Sequence, residues 1–64
     1  MTEVTLKGLM EAAKALKRGE TAMFKITDAA NPDEVYAEAQ ALIHEGFDVD
    51  VEDADDYEIE VTGR

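Results

Sequence analysis

The chain has 64 residues and a formal net charge of −10, with sixteen acidic residues against six basic ones and no cysteine. A chain of that length supports one small domain with a single core, burying about 60% of the surface its unfolded form exposes. Without cysteine, neither a disulfide framework nor a cysteine-based zinc site can reinforce it, so packing alone must hold the fold.

Charge is unevenly placed. Residues 1–25 carry five bases (Lys7, Lys14, Lys17, Arg18, Lys25) and three acids (Glu3, Glu11, Glu20), whereas residues 26–64 carry thirteen acids and Arg64 as their one base. The C-terminal half therefore repels nucleic acid and anionic membranes, and a basic protein is the partner it suits. The apolar runs are a few residues long, against roughly 20 needed to span a bilayer, and "MTEVTLKGLM" lacks a basic region followed by a hydrophobic stretch. A cytoplasmic protein is expected.

Leu6, Leu9, Met10, Ala13 and Leu16 recur at the helical period and predict a first helix from Leu6 to Arg18. Thr5 suits its N-cap, Val4 can pack on Leu9 as a hydrophobic staple, and Gly19 ends it. The alternative is a short edge strand over Val4 to Leu6. "TAMFKIT", Thr21 to Thr27, alternates as a strand, with Ala22, Phe24 and Ile26 on one face and Thr21, Met23, Lys25 and Thr27 on the other.

"NPDE" opens a second helix: Asn31 is the N-cap, Pro32 takes N1 and Glu34 takes N3, a variant of the capping box. Val35, Tyr36, Ala39, Leu42 and Ile43 form its apolar side and Gly46 closes it in a left-handed cap. The remaining stretch, "GFDVDVEDADDYEIEVTGR", has eight carboxylates within thirteen residues, most alternating with large apolar side chains. Period-two alternation on both sides of an Asp-rich turn predicts a hairpin.

A loop centred on Ala54 sets Val51 against Tyr57, Val49 against Ile59 and Phe47 against Val61. It also sets Glu52 against Asp56, Asp50 against Glu58 and Asp48 against Glu60. A slip by two changes the partners without changing the face each residue takes. The expected architecture is a single α+β domain over residues 1–64. It is a two-layer αβαββ sandwich, with two helices on one face of a three-stranded sheet that ends in a C-terminal β-hairpin.

The face left open would carry Asp48, Asp50, Glu52, Asp53, Asp55, Asp56, Glu58 and Glu60, with Glu3, Glu11 and Glu20 at the other end of the molecule. Like charges facing each other across a ladder destabilise it by up to about 1 kcal/mol per pair, so three such pairs in a small domain suggest a use. Two paired strands carrying acids at alternate positions present about one negative charge per 3.3 Å, half the density of duplex DNA and close to that of a single strand. The expectation is a non-enzymatic acidic interaction protein that binds a basic partner, most concretely a nucleic-acid mimic inhibiting a DNA- or RNA-binding protein. Phage counter-defence factors are the associated class. The alternative is a salt-adapted or generic acidic scaffold domain with no mimicry role.

Metal and catalytic chemistry are not expected. Read as a calcium loop, "DVDVEDADDYEIE" has Asp53 where glycine is needed and Ile59 where a bidentate glutamate is needed. Weak divalent binding at the Asp53 to Asp56 turn is all that it offers. Serine and cysteine nucleophiles are missing, no Gly-rich phosphate loop occurs, and the one histidine, His44, projects away from the apolar stripe of its helix. No cofactor is implied.

The run "LKRGETAMFKITD", followed by a helix, a glycine and a two-stranded end, resembles in layout the second half of the small sulfur-relay carriers of the TusA type. Their carrier motif is a Cys-Pro pair at the start of the first helix, where this chain reads "GLMEAAK". The resemblance implies layout alone and not sulfur transfer.

Overall fold

The computed structural model describes all 64 residues as β1 (Thr2–Val4), α1 (Leu6–Lys14), β2 (Thr21–Ile26), α2 (Pro32–His44), β3 (Asp48–Asp53) and β4 (Glu58–Thr62). The α+β class holds, but the sheet has four strands, in the order β1-β2-β4-β3. The additional strand is β1, which pairs parallel to β2 through Thr2–Phe24, Glu3–Lys25 and Val4–Ile26. It lies two residues ahead of the Val4 to Leu6 alternative, because Leu6 already begins α1.

Contacts distant in sequence fix that short strand. The Thr27 backbone N–H donates to the Val4 carbonyl at 2.8 Å, and the Leu6 N–H donates to Asp28 Oδ1 at 2.8 Å. The end of β2 thereby satisfies the start of α1, where helix N–H groups have no intrahelical acceptor. Thr5 supplies the cap itself, its hydroxyl accepting from the Gly8 N–H at 3.0 Å.

Helix α1 ends a turn earlier than its apolar period predicts, at Lys14 rather than Arg18. Lys17 leaves the helical path because its N–H is taken by Glu20 Oε1 at 2.8 Å while its carbonyl accepts from the Glu20 N–H at 2.9 Å. Helix α2 keeps both expected caps. Asn31 Oδ1 accepts from the Glu34 N–H at 3.3 Å, and the Glu34 carboxylate reaches back to the Ala30 N–H, one residue further out than in the usual box. At the far end Gly46 has φ +96°, with Gly46 N–H on the Ile43 carbonyl and Phe47 N–H on the Leu42 carbonyl, the two bonds of a Schellman motif.

The core is wholly apolar: Leu9, Ala13, Phe24, Ile26, Val35, Ala39, Leu42, Phe47, Ile59 and Val61 form one buried cluster, and no polar side chain is buried. Phe24, Ile26, Ile59 and Val61 come from the two central strands, so α1 and α2 cover one face of the sheet, as the alternation predicts. The other face is open. No helix is long and apolar enough to cross a membrane.

Candidate functional site

Strand pairing determines what the open face carries. Strand β4 runs antiparallel to both its neighbours, with Met23–Glu60 and Lys25–Glu58 on the β2 side and Asp48–Thr62, Asp50–Glu60 and Asp53–Glu58 on the β3 side. The hairpin is thus displaced by two from the loop centred on Ala54, and Val51 faces Ile59 instead of Tyr57.

Two local features cause the shift. A β-bulge lies between Val51 and Asp53, and the turn spans Ala54 to Tyr57, with Tyr57 in the left-handed region at φ +61°. Asp53 holds that turn: its Oδ1 accepts the N–H groups of Asp55 and Asp56 at 3.1 and 3.2 Å. Tyr57 is therefore a turn residue rather than the first apolar residue of a strand, although its side chain still packs against the core.

The expected three facing pairs of acids become two, Asp50–Glu60 and Asp53–Glu58, while Asp48 faces Thr62. Asp48, Asp50, Glu52, Glu58 and Glu60 belong to the ladder. Asp53 divides its role between the ladder and the turn, and Asp55 and Asp56 lie in the exposed turn. Carboxylate oxygens of Asp50, Glu52 and Glu60 converge to within 4.8 Å of one another. Asp48, Val49, Asp50, Glu60 and Thr62 line a shallow depression beside them.

This convergence lies on the sheet and runs up to the Asp53 to Asp56 turn, since Glu52 directly precedes Asp53, and oxygen ligands at that spacing suit a hard divalent cation. They equally suit guanidinium or ammonium groups, which a carboxylate accepts through charge-assisted hydrogen bonds. The only ion pair within 4.0 Å joins Arg64 to Glu45, off this face.

One residue of the face escapes the sequence pattern. Glu3, expected at the opposite end of the molecule, pairs with Lys25, and Lys25 pairs in turn with Glu58, so one lysine stands in a row between two carboxylates. Only the β1–β2 ladder brings Glu3 there, and the alternative edge strand over Val4 to Leu6 lies two residues later and leaves it out. The acidic surface is concentrated on the β3–β4 half, while β2 contributes Thr21, Met23 and Lys25. His44 is exposed in the last turn of α2, away from this surface.

No family model matches this chain, and neither a curated protein nor a solved structure is detectably similar to it.

Proposed function

We propose that the chain is a non-enzymatic binding protein whose carboxylate face engages a basic protein, acting most concretely as a mimic of nucleic acid toward a DNA- or RNA-binding protein. The observation that carries this reading is the convergence of Asp50, Glu52 and Glu60 on one open surface without a basic side chain paired to them. Closely spaced, unneutralised carboxylates on a rigid ladder attract the same Lys and Arg groups that grip a phosphate backbone. Asp48 and Glu58 extend the charge along both strands.

The second reading, a generic acidic domain adapted to salt, is favoured by a different observation. Acids also occupy the helical layer, at Asp33, Glu34, Glu38 and Glu45. A mimic and a salt-adapted domain differ in what they retain. Immobilised protein should capture one basic nucleic-acid-binding protein from extract at low salt, release it at high salt, and lose it to a competing DNA or RNA oligonucleotide. Capture that the oligonucleotide leaves untouched refutes mimicry.

A further inference from the structure

Strand β3 is the outer strand on the acidic side of the sheet, and one of its edges has no neighbour. Such an edge presents unpaired N–H and C=O groups to any strand that can align with it. Its two flanks differ in chemistry. On the open face, Asp48, Asp50 and Glu52 alternate along it, all exposed, while toward the helices Val49 and Val51 are only half-buried although they face the core layer.

Helix α2 completes the second flank. Val35, Ala39 and Leu42 define its buried line. At about 100° per residue, Tyr36 and Ile43 project to one side of that line and Glu34, Glu38 and Glu45 to the other. Arg64, which follows the inner strand β4, bonds the Glu45 carbonyl and stacks over Phe47 at 4.8 Å from the ring centroid. The glutamate side therefore faces inward, and Tyr36 and Ile43 face outward above the free edge of β3. A right-handed β2–α2–β3 crossover, the near-universal hand, gives the same result. These two side chains are 53% and 46% exposed, the only large apolar ones besides Met1 left so open.

We infer that the free edge of β3 is the docking line itself, and that it takes an extended segment of a basic protein as an added antiparallel or parallel strand. Alternate Lys or Arg side chains of that segment lie along Asp48, Asp50 and Glu52, and its intervening apolar side chains lie against Tyr36 and Ile43. Strand addition draws affinity from main-chain hydrogen bonds and specificity from alternate side chains, and both requirements are met on this edge. Charge selects the occupant. A second copy pairing β3 with β3 would align carboxylates with carboxylates, which disfavours it, whereas a basic strand meets opposite charge at every other position. This inference rests on the carboxylate-face reading and adds to it a geometry and a partner pattern.

The test uses two seven-residue peptides of the same composition, one alternating lysine with valine and one with four lysines followed by three valines. Binding is followed by NMR, with hydrogen exchange of the β3 amides as a second readout, at about 0.1 M salt. The alternating peptide should bind at least tenfold more tightly and slow exchange of outward-facing β3 amides, and the exposed double variant Tyr36→Ser, Ile43→Ser should lower that affinity without changing the block peptide's. Equal binding of both peptides with no added protection overturns strand addition while leaving the carboxylate face as a binding surface. No binding of either overturns both. Concentration-dependent protection of β3 in the protein alone assigns the edge to a second copy and also overturns the inference.

Discussion

Asp50 and Glu60 face each other across the β3–β4 ladder, and no basic side chain lies within 4.0 Å of either. Two like charges in that relationship cost up to about 1 kcal/mol, and salt reduces the cost because the Debye length falls from about 10 Å at 0.1 M to about 3 Å at 1 M. The melting temperature should rise with sodium chloride, by several degrees at roughly 4–8 °C per kcal/mol for a domain of this size. The variant Asp50→Asn should melt higher than the parent at low salt and respond less to added salt. A salt response identical in the two proteins would show that this pair contributes nothing to it.

Lys25 predicts the opposite sign. It stands in one cross-strand row between Glu3 of β1 and Glu58 of β4, and is the one base on the open face. Replacing it by Met retains much of the chain length and removes the one positive charge that stands between two carboxylates, with neither of which it makes an ion pair within 4.0 Å. The cost should be about 0.5–1 kcal/mol at low salt, from two cross-strand pairs of opposite charge, and should shrink toward 1 M salt. Urea titrations at both salt concentrations measure the difference. A Lys25→Met variant as stable as the parent at low salt would show that the row carries no net attraction.

Gly63 is held in a position that no larger residue fits. A Cβ built there would lie 2.1 Å from the Lys17 carbonyl oxygen, while the Gly63 N–H donates to the Glu20 carbonyl at 2.7 Å and its carbonyl accepts from the Gly19 N–H at 3.0 Å. These bonds tie the end of β4 to the loop between α1 and β2. Gly63→Ala must move one backbone away from the other, and overpacking of this kind costs roughly 1–3 kcal/mol. The urea midpoint should fall with an unchanged slope. An unchanged midpoint would mean that the C-terminal tie is dispensable.

How far the fold could be read from sequence depends on how local its causes are. The ends of α2 were legible because Asn31, Pro32, Glu34 and Gly46 act on groups within a few residues. The assignment of side chains to faces was legible because alternation fixes it at every register. Strand β1 was legible only as an alternative displaced by two residues, since its partner β2 and Asp28, which accepts the Leu6 N–H from 22 residues away, are both distant in sequence. The hairpin register depended on Asp53, whose carboxylate folds the turn onto Asp55 and Asp56 and leaves Tyr57 at positive φ, an unfavourable conformation for a bulky side chain. Composition suggested Asp-rich repulsion; the structure adds one aspartate that organises the turn and a lysine that interrupts the acids.

That refinement decides which carboxylates test the binding surface. Asp48, Asp50, Glu52 and Glu60 lie on the open face without standing directly opposite Lys25, whereas Glu58 does stand opposite it and Asp53 holds the turn. Replacing those four together by Asn or Gln preserves side-chain shape and removes four charges without disturbing either structural role. Stability should rise, because the Asp50–Glu60 repulsion is gone, while binding to a basic partner should fall by at least tenfold, since steering and charge-assisted hydrogen bonds both depend on these groups. Glu11→Gln with Glu38→Gln is the control: both residues lie on helices, away from the open face, and their loss should change binding little. Stability and affinity moving in opposite directions in the sheet variant, and neither in the control, would mark carboxylates kept for binding at a cost to the fold. Equal binding by parent and sheet variant, or weakening by the control alone, would remove the carboxylate face as the site.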